Sequence, residues 1–472
     1  MPIPFSDPRQ AAQEFFTKQD WANAVAAVEQ ALAQTTEPGK DRVLHLMLCI
    51  SLRAMGRLDE ARAAFKRGTP SLAKIQSAQH LDYALMAAIA GDNLPSVKSL
   101  FHHKNPGSRC VGMPIACSST ITLDEWCREQ NITLTRLEAP RAIAIKQKPH
   151  GVGTLEYTAE GFTYACVPHA EFLCGWDFVV TPAGKIISDS SYMALETAIN
   201  AFFPHIFVRE IGVVAHPWAD TVIEMDCDAL FLSAPERFHY GHWLIDFLPR
   251  LRAIEGTDTK VMVPTELPQK HSDLLTKMGI GPERRIICEL GKRYRFRNLI
   301  VARPGTYLLP NPNTIDFLRR HLGRRAMAAS APRQRYFFER GAGTRLPANR
   351  EEVNATLQEF GFRHIDLSQL PLAEEHELLA EADIIVAAYG TELLAAFGVP
   401  SGADIIELIW NTNEDIATAP ICHFLGIHHE FLVCAKAPNT AKKNYSKDSD
   451  MIVDCVELRR RITYALTRKE NR

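Results

Sequence analysis

The chain has 472 residues, 46% apolar and 23% charged, and a formal net charge of −2 at pH 7. That is too long for one ordinary domain and typical of a globular protein, so two or three domains are expected. Near-neutral charge gives no electrostatic reason to expect nucleic acid, and no apolar run approaches the ~18 residues of a membrane span.

The N-terminal run Met1-Pro-Ile-Pro-Phe-Ser-Asp-Pro8 lacks a basic segment followed by an apolar one, so no secretory leader is expected. Eleven cysteines, an odd number without a Cys-x-x-Cys pair, predict reduced thiols rather than a disulfide framework or structural zinc. Residues 8 to about 102 carry helical patterning only. The runs beginning Asp20-Trp21 and Arg57-Leu58 align at a spacing of 37, matching Trp21 with Leu58, Ala24 with Ala61 and Val28 with Phe65. Asp92 to Val97 forms a weaker third copy, and Gly56 is the expected turn before the second repeat helix. Small residues at one position amid larger apolar ones let paired helices pack closely. The pattern resembles tetratricopeptide repeats, whose usual period is about 34. That resemblance implies a partner-docking role rather than a catalytic one.

The stretch from His102 to Gly107 reads as a linker, and its histidine pair as solvent-exposed. Beyond it, strands are expected at 161–167, 177–180, 185–188, 260–264, 285–288 and 296–301, with a helix from His271 to Met278. A second alternating series predicts strands at 335–340, 364–367, 383–387 and 404–408. Helices are expected at 351–360 and 372–381, with a final one from Glu457 to Arg468. Apolar strands alternating with helices imply parallel sheets covered on both faces, with ligands at the carboxyl ends of the strands.

Within the first series, ahead of the strand at 260–264, lies Phe238-His-Tyr-Gly-His-Trp-Leu-Ile-Asp-Phe-Leu-Pro-Arg-Leu251. On a helical projection His239, His242, Asp246 and Arg250 share a polar stripe roughly 80° wide. Leu244, Phe247, Leu248 and Leu251 cluster opposite. Pro249 opposes a continuous helix because it lacks an N–H and crowds the preceding turn. In the second series, Arg340-Gly-Ala-Gly-Thr-Arg345 leaves a strand through a glycine-rich loop, followed by Asn349 and Glu352. Arginine forks suit paired phosphate oxygens. The loop Tyr389-Gly390-Thr391-Glu392-Leu393 opens a helix whose first amides can meet an anion. Glu407, at the end of the next strand, could hold a ribose diol.

The run His-Trp-x-x-Asp-x-x-Pro-Arg-Leu, with the ordered Arg-x-x-x-x-Arg-x-x-x-Asn loop, the Ala-Asp-Ile-Ile-Val strand, the glycine loop and Ile-Ile-Glu-Leu, resembles glycosyltransferase family 61 over about 225–410. The resemblance implies two Rossmann-like lobes of the glycosyltransferase-B type, preceded by an all-α repeat domain. The expected segments are 1–103 for the repeats, 104–330 for the acceptor-side lobe and 331–472 for the nucleotide-sugar side. It further implies an inverting transfer of a hexosyl or pentosyl group from a nucleotide-sugar donor to a polysaccharide or glycoconjugate, with no obligatory metal or other cofactor.

In that reading Asp246 or His242 is the base, with His239 beside them, and Arg250 and Trp243 contact or orient the acceptor. Arg340, Arg345, Asn349, Tyr389, Gly390, Thr391, Glu392 and Glu407 form the donor side. The chain departs from the family's His-Gly-Ala-Gly-Leu loop at Tyr389 to Leu393, with Ala395 or Ala396 where the family has a downstream Asn. Glu392 there would repel a diphosphate unless an arginine neutralises it. A bacterial-type enzyme is expected, cytoplasmic or peripheral at the inner face of the membrane, with a protein partner on the repeats. Three other readings compete. Asp226-Cys-Asp228 has the form of a divalent-cation motif, and His239, His242 and Asp246 could ligate a hydrolytic metal. The altered loop also admits a non-catalytic interaction protein.

Overall fold

The computed structural model describes residues 7–35, 41–68, 78–90, 95–97, 100, 115–145, 154–175, 178–190, 206–208, 212–233, 239–265, 267–303, 305, 309–323, 333–339, 345–410, 417–437 and 449–470. Asp92 to Leu94 of the third repeat copy, the pair His102-His103, and Arg340 to Thr344 lie outside them, as do the side chains of Thr391 and Glu392. The chain is mixed α/β, with N-terminal helices and several sheets. It divides into two discontinuous compact units. One comprises 1–132, 167–227 and 288–299, the other 133–166, 228–287 and 300–472, so the expected segment 104–330 contributes to both.

The first unit begins with helices Pro8–Thr17, Trp21–Ala33, Arg42–Ala54, Leu58–Gly68 and Ala78–Ala90. Asp7 caps the first by accepting from the amides of Arg9 and Gln10 at 3.0 and 3.1 Å, with Pro8 where its missing N–H costs nothing. Asp20 caps the second through Asn23 N. Gly56 turns the chain at φ +80°, a conformation open to glycine. The paired positions Ala24, Ala61 and Val28 are fully buried, and Phe65 nearly so. These helices do not close a core of their own. Their buried side chains form one cluster with Ile115, Leu173, Ile186 and Val214. There, strand Ile115–Ile121 lies antiparallel to Val213–Pro217 and parallel to Ile186–Ile187.

In the second unit Ala229–Phe231 pairs in parallel with Lys260–Met262, whereas Thr135–Arg136 runs antiparallel to Thr163–Tyr164. The sheet expected to be parallel throughout is therefore mixed. Strand Val222–Phe231, whose alternating charges hide its apolar end, was not anticipated from the pattern.

The C-terminal sheet of this unit has the order Arg363–Ile365, Gln334–Phe338, Ala382–Ala388, Asp404–Trp410, His428–Lys436, Met451–Ile452. All pairings are parallel except the last. Every residue of Ala382–Ala388 and Asp404–Trp410 is buried, as central strands covered on both faces must be. Val353 and Leu357 of helix Arg350–Glu359, with Leu458, Ile462 and Ala465 of helix Cys455–Glu470, share a core with Phe337, Ile384, Val386, Ile406 and Leu408. From Gln334–Phe338 the chain steps to one side, to Arg363–Ile365, and then returns to the other, to Ala382–Ala388. The topological switch point falls between Gln334–Phe338 and Ala382–Ala388. No helix among the described residues is long and apolar enough to cross a membrane.

Candidate functional site

Pro249 decides the local geometry of the His-Trp run. Its ring would collide with the carbonyl four residues back, that of Ile245. Instead of one α-helix the chain forms a short α turn Tyr240–His242, a π turn Trp243–Phe247 and a 3-10 helix Leu248–Ile254. The Leu248 N–H reaches back five residues to Trp243 O, which widens the turn ahead of the proline. Single π turns inside helical runs are frequent at functional sites. The His242 and Asp246 side chains still meet. Nδ1 of His242 lies 2.8 Å from Oδ2 of Asp246, with both side chains largely shielded from solvent.

His239 precedes the turn in extended conformation, and its ring stands edge-on to His242 at 5.9 Å. Crowding of its ring, and then His242, hold the His239 imidazole below its ordinary pKa, although the residue as a whole is exposed. Arg250 is buried. Its Nε donates to Asp246 O at 3.2 Å and its guanidinium lies 5.3 Å from the Phe247 ring centre. Trp243 has no exposed surface and stacks on Phe247 at 5.4 Å, so it cannot touch an acceptor; it anchors the turn.

Three residues that sequence reasoning missed stand behind this turn. Glu375, buried on helix Leu372–Glu381, accepts from the Tyr240 hydroxyl at 2.7 Å and from Lys270 Nζ. Lys270, on helix Gln269–Lys277, also donates to Leu367 O at 2.9 Å and lies 4.9 Å from the Tyr240 ring centre. Burial, reinforced by Glu375, raises the Tyr240 phenol well above its ordinary pKa. His271 packs at 5.0 Å against Trp243 and edge-on to Tyr240, and among the described residues neither ring nitrogen has a hydrogen-bond partner. A legible signal existed. Leu372, Glu375 and Leu379 share one helical stripe, and a carboxylate among leucines marks a buried charge.

The switch point carries the second cluster. A small cavity there is lined by Phe337, Phe338, Glu339, Arg345, Arg350 and Ala388, among others. Arg345 adopts φ +67°, uncommon for a residue with a Cβ, and its guanidinium lies 4.2 Å from the buried Tyr389 ring centre. Its Nη1 donates to Tyr389 O at 3.4 Å. Burial would raise the Glu339 carboxyl, yet His364 Nδ1 at 2.9 Å and Arg350 Nη2 at 3.0 Å hold it below its ordinary pKa.

Two expected donor-side residues are engaged by the protein itself. The Asn349 amide exchanges hydrogen bonds with Val453 N and O at 3.0 and 2.9 Å and donates to Glu352, fastening the 449–453 segment. Glu407 is buried between His429 Nε2 at 2.8 Å and the Thr418 hydroxyl at 3.3 Å. Gly390 is extended and precedes the expected helix, Thr391–Gly398, which is of the 3-10 kind. That short helix packs against the Tyr240–His242 turn, so the loop after Ala382–Ala388 and the histidine turn neighbour one another. Asp226 is exposed and pairs with Arg297 at 3.2 Å. Among the described residues no three His, Cys, Asp or Glu side chains converge as metal ligands.

Compared with known families, residues 240–406 match the family model described as Glycosyltransferase 61. No curated protein matches the chain. The matched span begins at the first residue of the histidine turn and ends one residue before Glu407.

Proposed function

We propose, from the premise that residues 240–406 are a glycosyltransferase 61 segment, that the protein moves a sugar with inversion from a nucleotide-sugar donor to a saccharide or glycoconjugate acceptor. The scaffold in this reading is of the two-lobed, Rossmann-like glycosyltransferase-B type. The observation that carries the reading is the shielded His242–Asp246 hydrogen bond of 2.8 Å. A carboxylate on Nδ1 fixes the tautomer and places the basic lone pair on Nε2. His242 is then the base and Asp246 the residue that orients it.

In the step itself the acceptor oxygen bonds to the anomeric carbon as its proton passes to Nε2. The bond to the diphosphate breaks on the opposite face, and the nucleoside diphosphate leaves with the electron pair. The charge that develops there needs preorganised donors. Arg345 and Arg350 at the switch-point cavity supply them, with Arg340 expected alongside from its place in the glycine-rich loop. Arginine forks of this kind do the work a divalent cation does in other transferases, so the reading requires no metal. The N-terminal helices would hold a protein partner.

A thermal-shift series with UDP, GDP, CMP and their sugar conjugates, with and without EDTA, tests this. A nucleotide at 100 times its dissociation constant stabilises by about 2.7 kcal/mol. The expected result is a shift with one nucleotide class, unchanged by EDTA and lost in Arg345→Ala. A shift abolished by EDTA would replace the metal-independent reading with a cation-dependent one. No shift with any nucleotide would leave the non-catalytic interaction protein.

A further inference from the structure

The Tyr240, Lys270 and Glu375 triangle is an unusual thing to bury if its only purpose is stability. The Glu375 side chain has no exposed surface and that of Lys270 only 20%. Removing two opposite charges from water costs about as much as their attraction returns, so packed apolar side chains of similar volume would hold three elements together equally well. What the polar triangle adds is direction. Glu375 offers two oxygens, and each is committed: Oε1 to the Tyr240 hydroxyl and Oε2 to the Lys270 ammonium. Lys270 is in turn tied to Leu367 O and faces the Tyr240 ring. The phenol therefore has one position and one hydrogen-bond direction.

Tyr240 is also the first residue of the α turn that His242 closes. The backbone continues directly into the π turn that carries Asp246. A π turn is rare and occurs mostly as a single turn set into a helical run, so its entry geometry depends on what surrounds it. We infer that Glu375, acting through the Tyr240 hydroxyl and held by Lys270, is a positioning residue that sets the His242–Asp246 pair in register. The inference rests on the transferase reading only for its consequence in turnover. The geometry it describes can be measured without a substrate.

The test uses the full chain with histidine-selective 15N labelling, the His242 ring signals being assigned by their loss in His242→Gln. Two variants are compared with wild type. Tyr240→Phe removes only the hydroxyl. Tyr240→Phe/Lys270→Met/Glu375→Met removes every polar member of the triangle while filling its space, and serves if the first variant folds poorly. The expected result is a His242 ring protonated at Nδ1 in wild type and loss of that nitrogen pattern in the variants, with melting temperature retained in the triple variant. With a turned-over nucleotide sugar, kcat should fall about 10-fold or more at a donor KM within about 2-fold, as expected for an interaction that matters in the transition state rather than in binding. Unchanged His242 nitrogens in both variants would overturn the inference whatever the activity. Wild-type protein that turns over no nucleotide sugar would sink the transferase reading, and the ring nitrogens alone would then decide the positioning role.

Discussion

His271 shows how a single side chain can set the acid limit of this protein. Its ring is 3% exposed, has no hydrogen-bond partner among the described residues and packs against the rings of Tyr240 and Trp243. Burial, then Lys270, then His239 push its pKa down to about 4. In the unfolded chain an imidazole titrates near ~6.5. Above that pH both states are neutral and the residue contributes no pH dependence. As pH falls from ~6.5 towards 4 the unfolded state takes up a proton that the folded state refuses, so stability drops, reaching a plateau below 4. The full loss is about 3 kcal/mol by that arithmetic. Phenylalanine at this position keeps a ring against Trp243, removes the titration and strands no hydrogen-bond partner. Urea unfolding of His271→Phe between pH 7 and pH 4 is expected to show a shallower loss than wild type. Equal slopes would mean that other groups carry the acid sensitivity.

At the scale of elements, the amino ends of the two central strands of the C-terminal sheet depend on the end of the last helix. Asp383 and Asp404 begin buried stretches of adjacent strands. Lys469 Nζ lies 2.7 Å from Asp383 and 3.0 Å from Asp404, and also donates to Gly402 O at 3.2 Å. Burial raises the Asp404 carboxyl even against the pull of Lys469 and Arg468. Lys469→Met should therefore cost about 3 kcal/mol, the low end for removing one partner of a buried pair, because Arg468 and Arg333 remain. A urea midpoint indistinguishable from wild type would show that the arginines suffice. This clasp was not legible in the sequence. The final helix was, from its charge pattern, and so were Leu372–Glu381 and the apolar strands read at 383–387 and 404–408, which extend to Ala382–Ala388 and Asp404–Trp410. Strands His428–Lys436 and Val222–Phe231 were missed because polar residues interrupt their apolar periodicity. The helix after the glycine loop was legible, but not its 3-10 form. For the site, the spacing of His242 and Asp246 sufficed to place them together. Glu375 meets partners 105 and 135 residues away, Asn349 meets Val453 across 104 and Glu407 meets His429 across 22, separations over which no local pattern carries information.

For the whole molecule, the decisive feature is how the chain is threaded. The two compact units exchange the chain at 132, 166, 227, 287 and 299. The exchanges at 166, 227 and 299 fall inside the strands Thr163–Pro168, Val222–Phe231 and Arg293–Arg303. Domains that unfold separately are joined by exposed linkers that few contacts cross. Here three strands run without a linker from one unit into the other. Unfolding of either unit should therefore drag on the other, despite separate cores. Calorimetry is expected to show one principal transition, with calorimetric and van't Hoff enthalpies that agree, rather than the two independent peaks that consecutive domains give. A bound nucleotide should then raise that single transition as a whole, since ligand that stabilises one part of a cooperative unit stabilises all of it. Two well-separated peaks, only one of which moves with nucleotide, would show that the shared strands do not couple the units. That outcome would also assign the nucleotide to the unit whose peak moves.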